Sequence, residues 1–398
     1  MHDLIVVGGG PAGSTCARRA AQAGLDVLLL EKTRFPRYKL CGGALTQRVL
    51  ETLDFDLGPA VEREVGGGKV FSSLGRCLSI AFESFTGYLV KRSRFDQLLL
   101  DKAKEAGATV IEETQAVAIE QIQRGIRVLT HGDSHKGHLL VGADGVNSLV
   151  ARCSGIRKRW RPENVGLCIS ADVLVSPSDI EHAFTNEATG EIGVELYFGE
   201  IEWGFGWCFP RKEDLSIGIG CRLDKARNLK SSWREFVKKI EDTKGFCFDH
   251  AKWNSWRVPI GGARARCTSR RTMLIGDAAG LVSPITGEGI FYAIESGILA
   301  ANIAKETVQM KSPVHSRTFD ERVRYLTDDL KAARKIAGYL YKSANNADLL
   351  LQIAEEDTVM KGYIMDFVTG EGSFLKLRSA LMKRLLLRHP VKAVRLGL

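Results

Sequence analysis

The stretch from Asp3 to Gly24 constrains the fold more than any other part of this chain of 398 residues. A short apolar run, DLIVV, is followed at once by GGGPAG and then by STCARRAAQAG, which has the composition of a helix. A strand that turns through spaced glycines into a helix is typical of a nucleotide-binding βαβ unit. In such a unit Gly8 makes the tight turn, Gly10 lets a phosphate approach the backbone, and Gly13 lets helix and strand pack closely.

A second strand and an acidic residue follow in the register that this unit requires. The run DVLLL ends at Glu31, eighteen residues after Gly13, where a carboxylate can bind ribose hydroxyls. A glycine-rich turn without function would not need strand, glycines, helix, strand and acid in this order. The sequence therefore predicts a dinucleotide site, with Ala12 among the residues that contact the ligand.

Charge and composition argue against several other classes of protein. The net charge is +9, but seven cations and no acid follow Ser373, which leaves only +2 for the rest of the chain; we expect no nucleic-acid binding. No apolar run approaches the ~18 residues of a membrane span, and no leader-like segment precedes the first strand. The nine cysteines lack metal-type spacing. We expect a cytoplasmic protein with reduced thiols and no metal site.

Two later segments share an apolar strand that ends in glycine and aspartate. LLVGADGVNSLVAR carries Asp144, and RRTMLIGDAAGLVSPITGEGIFYAIESG carries Asp277 before a Gly-Glu-Gly turn into a helix. With the glycine turn, they resemble the FAD-dependent family that includes p-hydroxybenzoate hydroxylase and the geranylgeranyl reductases. The resemblance implies FAD as cofactor, bound by Asp144 and by Asp277 on the ribityl chain. It also implies backbone contacts from Gly289 and Ile290 at the flavin ring, where a helix N-terminus favours negative charge.

The run RSRFDQLLLDKAKEAG matches the family pattern R-x-x-F-D-x-x-L. Its apolar spacing predicts a helix, and the resemblance implies that Arg92 contacts the flavin. A strand is predicted from Thr109 to Val117, in which the backbone of Ala116 would contact the adenine.

The segment EKTRFPRYKLCGGALTQRVLETL resembles the signature of prokaryotic geranylgeranyl reductases almost residue by residue. Related halogenases share F-P-R but continue differently. In the reductases the Cys-Gly-Gly turn lies against the isoalloxazine, which implies that Cys41, Gly42 and Ala44 contact the flavin here. Cys41 is the catalytic candidate, with its role left open. A packed thiol is the alternative.

The segment GFGWCFPRKEDLSIGIG resembles the reductases' Y-x-W-x-F-P run followed by V-G-x-G, with Phe205 in place of the usual tyrosine. We predict that Trp207, Phe209 and Pro210 line the substrate pocket; an aromatic core is the alternative. The alternation over 216–220 predicts a strand. The missing tyrosine hydroxyl leaves no proton donor at Phe205.

The expected fold is α/β with three parts. They are a discontinuous Rossmann-like FAD-binding domain (1–55, 90–155 and 259–305), an antiparallel-sheet substrate domain (56–89 and 156–258), and a helical C-terminal region with a basic tail (306–398). The resemblance implies a reductase that saturates C=C bonds of a prenyl (geranylgeranyl-type) chain by hydride transfer from reduced flavin. Because an isolated alkene is not polarised, catalysis would depend on proximity and on excluding water. The alternatives are a monooxygenase of the same fold and a non-catalytic flavin-binding electron-transfer protein.

The expected electron donor and the expected membrane contact follow from this function. The GGG at 66–68 does not lead into a helix pattern, so the electron donor is left open between NAD(P)H and a ferredoxin-like protein. A prenyl-lipid or other hydrophobic substrate resides in membranes, and the basic tail could attach the chain to the inner membrane surface. The tail's apolar arc contains Arg378, which makes it a mediocre interfacial helix. A packed C-terminal helix is the alternative.

Overall fold

The computed structural model describes residues 1–81, 87–186, 190–248, 252–261, 266–309, 316–370 and 372–397. The strands are β1 (His2–Val7), β2 (Val27–Leu30), β3 (Ala44–Leu45), β4 (Val61–Val65), β5 (Gly67–Ser72), β6 (Cys77–Ala81), β7 (Gly87–Val90), β8 (Thr109–Ile111), β9 (Ala116–Ile122), β10 (Gly125–Thr130), β11 (Ser134–Gly142), β12 (Gly166–Leu174), β13 (Gly193–Phe198), β14 (Gly204–Pro210), β15 (Asp214–Arg222), β16 (Trp253–Val258), β17 (Thr268–Ser269) and β18 (Thr272–Leu274). The α-helices are α1 (Pro11–Gln22), α2 (Gln47–Thr52), α3 (Arg92–Glu105), α4 (Leu149–Cys153), α5 (Pro177–Phe184), α6 (Leu229–Lys244), α7 (Gly276–Ala279), α8 (Ile290–Gln309), α9 (Ser316–Arg322), α10 (Arg324–Leu340), α11 (Ala344–Glu356), α12 (Thr358–Thr369), α13 (Phe374–Arg388) and α14 (Pro390–Leu396).

The first sheet has the strand order β17-β18-β11-β1-β2-β8, and the β9–β10 hairpin extends it from β11. The five strands from β18 to β8 are parallel. All four residues of β2 and the last four of β1 are buried, because a parallel sheet with helices on its faces needs continuous apolar strands. Helix α1 packs between α3 and α8. This arrangement brings the N-terminus of α1 to the carboxyl ends of the parallel strands.

The second sheet has the order β16-β12-β15-β14-β13-β5-β6. Its neighbours are antiparallel except for β5 and β13, which are parallel. This parallel pair departs from the predicted antiparallel sheet, and the reason is that the two strands come from separate segments that no hairpin joins. Helices α5 and α6 cover one face of the sheet, and the helices after 323 cover the other.

A small third sheet, β3-β7-β4, was not predicted. It joins the Cys-Gly-Gly turn to the start of α3, since the amide of Val90 donates to the carbonyl of Gly43 at 2.9 Å. The prediction of a single strand from Thr109 to Val117 is wrong. The chain turns between β8 and β9, where Glu113 has a φ of 55° and the Thr114 amide donates to the carbonyl of Glu31.

The predicted α/β class, with a Rossmann-like part, a second sheet and a helical C-terminal region, is confirmed. The domain boundaries stay a proposal, which is supported by the fact that the described strands between 166 and 258 all belong to the second sheet. None of the nine cysteines, all of which lie within the described residues, forms a disulfide, and four of them are buried. No helix within the described ranges is both long and apolar enough to cross a membrane.

Candidate functional site

The glycine turn between β1 and α1 forms an open helix N-terminus. Gly8 has a φ of +106°, and a methyl group added at Gly13 would overlap the carbonyl oxygen of Gly8; both positions therefore require glycine. Gly10 caps α1 without any side-chain hydrogen bond. A methyl group there would meet only the Arg37 guanidinium, at 3.6 Å. A helix N-terminus with a cation beside it, next to the buried Ala12, is an anion site.

Glu31 ends β2 and points back at this turn. Its Oε2 accepts from the amide of Gly9 at 2.7 Å, and its Oε1 accepts from the amide and hydroxyl of Thr33 at 2.9 and 2.7 Å. An ionised carboxylate has about four acceptor positions, so one is left for a ribose hydroxyl. Ala116, where β9 begins, is buried. The hydrogen bond from the Thr114 amide to the Glu31 carbonyl holds the segment before Ala116 beside Glu31.

Asp96 organises two arginines beside the turn. It is fully buried and binds Arg92 through two hydrogen bonds, at 2.7 and 2.9 Å, and Arg37 at 3.2 Å. Burial alone would lower the pKa of Arg92, but Asp96 and Cys41 outweigh it and raise that pKa. Arg92 is therefore a cation that Asp96 holds in place near the Cys41 side chain.

The Gly-Asp pair at 276–277 and the Gly-Glu-Gly turn meet at one point. A methyl group at Gly289 would lie 3.4 Å from Oδ1 of Asp277, and the Gly276 amide donates to the Ser296 hydroxyl of α8 at 3.0 Å. Within the described residues no hydrogen bond engages the Asp277 carboxylate. Burial raises its pKa, while Lys39 and Arg92 lower it. This carboxylate is free to accept from a ligand, next to the N-terminus of α8 at Ile290.

Lys39 is a site residue that the sequence analysis did not identify. Its Nζ lies 4.5 Å from the centre of the Trp256 ring and 3.3 Å from the carbonyl oxygen of Leu40. Burial and Arg92 lower the pKa of Lys39, while Asp277 and Cys41 oppose that shift. The sequence R-Y-K-L-C could have indicated this residue, because two cationic side chains at alternate positions precede the cysteine.

The Cys-Gly-Gly turn lies against the second signature. A methyl group at Gly42 would stand 2.6 Å from the Phe209 ring and 3.4 Å from Nε1 of Trp207. Cys41 is half-buried and Ala44 is exposed at the start of β3. The structure thus brings together two segments that are more than 160 residues apart in sequence.

An apolar wall continues from this turn. Phe205 lies 6.1 Å from Trp207 and 6.4 Å from Tyr341, between ring centres, while Pro210 is buried at the end of β14. Further half-buried side chains pack on the same cluster from the sheet and from α12: Cys168, Phe209, Ile364, Met365 and Val368. Trp207 is 7% exposed, so it belongs to the core and also faces the turn. The contribution of α12 could not be found from sequence, because no motif marks it.

Asp144, which the sequence predicts at the site, and Tyr341, which it does not, both have partners within the protein. Asp144 accepts from the Ser148 hydroxyl at 2.5 Å and from the Val150 amide at 3.0 Å, which caps α4; its cofactor role stays a prediction. Tyr341, stacked on Phe205, donates its hydroxyl to the Ile285 carbonyl. Burial raises the pKa of Tyr341 well above its usual value, so it is not an acid at neutral pH.

Comparison with known proteins gives a consistent result. The FAD-binding domain family matches residues 1–307. The chain is 28% identical to a digeranylgeranylglycerophospholipid reductase of Methanocaldococcus jannaschii, over 94% of this chain and 97% of that protein. It is 32% identical to a menaquinone reductase of Mycobacterium tuberculosis, over 76% of each chain.

Solved structures share the fold. A geranylgeranyl bacteriochlorophyll reductase-like protein of Thermoplasma acidophilum superposes with a TM-score of 0.82 at 23% identity, covering 100% of this chain and 98% of the other. A flavin-dependent brominase reaches a TM-score of 0.72 at 19% identity, covering 96% and 98%. At these identities the likeness concerns the fold alone.

Proposed function

Because the chain belongs to the geranylgeranyl reductase family of FAD-binding oxidoreductases, we propose that it saturates C=C bonds in the prenyl chain of a hydrophobic substrate. FAD, when reduced and bound, supplies the hydride for such a reaction. The names of the two relatives denote a reductase of digeranylgeranylglycerophospholipid and a reductase of menaquinone.

The residues of the site fit FAD. The open N-terminus of α1 with Arg37 suits the pyrophosphate, the remaining acceptor position of Glu31 suits a ribose, and the unengaged carboxylate of Asp277 suits the ribityl hydroxyls. Gly42 presents bare backbone to one side of the site, and the start of α8 at Gly289 presents amides to it.

The observation that carries the proposal is the chemistry of that wall. The rings of Trp207 and Phe209 directly adjoin the Cys-Gly-Gly turn, and apolar side chains of α12 pack on the same cluster as these rings. A hydrocarbon chain placed there would meet no group that requires a polar partner, and its burial would contribute about 25 cal/mol per Å² of apolar surface. The wall also excludes water from the reacting bond.

The charged residues have a complementary role at the polar side. Arg92 and Lys39 place positive charge beside Cys41 and Asp277, where it stabilises negative charge on a reduced cofactor. The Cys41 side chain packs on the cluster that contains Leu45, Phe95 and Ile290, one residue before Gly42, which adjoins the apolar wall. We propose that it contacts the substrate face of the site and influences how many bonds are saturated.

Anaerobic reoxidation tests the function directly. The purified protein is reduced with dithionite until its yellow colour bleaches, and a prenyl lipid or prenylquinone is then added without oxygen. We expect the flavin absorbance to return and the lipid to gain two hydrogen atoms per reduced bond by mass spectrometry. Flavin that stays reduced would contradict the proposal and favour a non-catalytic electron-transfer protein. Hydroxylation of an aromatic compound that requires oxygen would favour a monooxygenase.

We further propose that α13 and α14 hold the protein at an anionic membrane surface. The seven cations of the tail are not all available, because Arg384 pairs with Asp357 and Lys392 with Glu356. The others have no ion pair within the described residues: Lys376, Arg378, Lys383, Arg388 and Arg395. Each could contribute up to about 1 kcal/mol near an anionic leaflet.

Helices α13 and α14 are compatible with both alternatives for the tail, packing against the protein and contact with a membrane. One face is packed, since Leu381, Leu385 and Leu396 belong to a core cluster. Large apolar side chains near the junction of the two helices are exposed: Leu387 is 68% exposed and Val394 is 73% exposed. Packing of one face and membrane contact by the other are therefore compatible.

A further inference from the structure

A cleft of about 340 Å³ lies outside the site described above. Leu274 at the end of β18 and Ala279 in α7 form its inner border, and the segment from Ile156 to Asn164 forms one side. A volume of this order is typical of small-molecule sites. Neither the flavin site nor the apolar wall includes these residues.

Four arginines line this cleft: Arg157, Arg159, Arg161 and Arg266. The carboxylates in their vicinity are engaged elsewhere. Asp144 is bound by Ser148 and Val150. Asp320 accepts from the Cys267 amide and the Thr268 hydroxyl. Among the described residues, the one ion pair that involves these arginines joins Arg161 to Glu163 at 3.9 Å, and Arg161 is 80% exposed. Asp144 acts on Arg157 without forming an ion pair with it. The cleft therefore concentrates positive charge without matching anions among the described residues.

Arg157 is held in a fixed orientation inside the cleft. Its Cζ lies 3.6 Å from the centre of the Trp160 ring. The indole is fixed in turn, because its Nε1 donates to the Val146 carbonyl at 2.7 Å and its edge fills the space above Gly280. When the flat face of a guanidinium stacks on a ring, the N–H groups at its edge remain available to bind a ligand.

The environment of Arg157 favours an anion. Burial lowers its pKa to about 10, and Arg152 also lowers it, while Asp144 only partly opposes the shift. A half-buried cation without a hydrogen-bonded partner is costly. An anionic ligand would remove that cost.

We propose that this cleft binds the phosphate groups of a nucleotide. Planar guanidinium groups bind phosphate through paired hydrogen bonds, and the Trp160–Arg157 stack offers a flat surface to a base or ribose. If the proposed function holds, the nucleotide is the phosphate-bearing part of a nicotinamide electron donor. Binding itself does not depend on that function.

Calorimetric titration of the FAD-loaded, oxidised protein tests the proposal. ADP and inorganic pyrophosphate are titrated separately at low salt, with no prenyl substrate present. We expect saturable binding of both, with ADP several-fold tighter. Arg157→Ala should weaken ADP binding at least tenfold and Arg159→Ala, at an exposed position, severalfold. Arg124→Ala on the β9–β10 turn removes the same charge outside the cleft and should change nothing. Unchanged flavin content shows that each variant is folded.

Several results would overturn the proposal. No saturable binding of either probe would end it. Equal weakening by Arg124→Ala would show non-specific attraction, and pyrophosphate as tight as ADP would exclude a nucleotide site. If ADP does not bind but an acidic electron-carrier protein reduces the flavin and Arg159→Ala slows it, the cleft is part of a protein-docking face instead. Because no prenyl substrate enters the titration, failure of the reductase assay would not affect its outcome.

Discussion

At the scale of single residues, Lys39 interacts electrostatically with both the Cys-Gly-Gly turn and the Gly-Asp pair at 276–277. It lies near Asp277 and Cys41, and its pKa is lowered by burial and by Arg92. An ammonium group with a lowered pKa loses its charge at a lower pH than an ordinary lysine, whose pKa is about 10.4. We expect anaerobic flavin reoxidation to slow as pH rises through this lowered value. Lys39→Arg should move the decline to higher pH, and Lys39→Met should be slow throughout. Identical pH profiles for wild type and Lys39→Met would remove Lys39 from the mechanism.

Glu31 orients the glycine turn and keeps one acceptor position for the cofactor. We expect Glu31→Ala to weaken FAD retention by about 1.5–3 kcal/mol, the contribution of hydrogen bonds to a charged group, which is roughly tenfold or more in affinity. FAD, rather than FMN, should be released from wild type by acid, because the turn addresses the adenosine half that FMN lacks. Glu235→Ala, at an exposed acidic residue of α6 on the second sheet, is the control. Undiminished flavin content of Glu31→Ala at low FAD concentration would show that the residue has no such role.

The Cys41 side chain is near Arg92 and precedes Gly42 at the apolar wall, and we propose that cofactor affinity depends mainly on other groups. We expect Cys41→Ser to keep FAD bound but to change turnover or the number of bonds saturated, measured by mass spectrometry of the product. Cys77→Ser, at an exposed cysteine of β6, should behave as wild type. If Cys41→Ser instead loses FAD while activity per bound flavin is unchanged, the thiol is structural.

At the scale of elements, α13 and α14 allow a sharper test than removing the tail. Deleting 373–398 would also remove Phe374 and Leu377 from the core. We expect Leu386→Asn/Leu387→Asn to weaken binding to anionic vesicles in sedimentation while activity on a short, water-soluble prenyl substrate is kept. Leu174→Asn changes a leucine that is 82% exposed elsewhere and should bind as wild type. Binding that is insensitive to both salt and the double variant would exclude this surface.

Elements marked by a strict local rule were predictable from sequence. The glycine turn allows one backbone geometry, and apolar runs such as β2 are required by burial on both faces. The break between β8 and β9 and the third sheet were not predictable, because they depend on a single left-handed residue and on pairing between distant segments. The same holds for Lys39 and for α12, whose placement follows from tertiary packing rather than from any local pattern.

At the scale of the whole molecule, the first sheet is not complete until late in the chain. Strand β18 pairs with β11 about 130 residues after β11 ends, and α8, which packs on α1, follows still later. At typical synthesis rates of ~5–20 residues per second, a nascent chain would wait roughly 6 to 26 seconds with part of one edge of its central sheet unpaired. During that interval residues 140–142 of β11, which pair with β18 and not with β10, form an open strand edge, and we expect the growing chain to be prone to aggregation until β18 is made. We expect a chain truncated after residue 259, which lacks β18 and α8, to contain no flavin and to be found in the insoluble fraction.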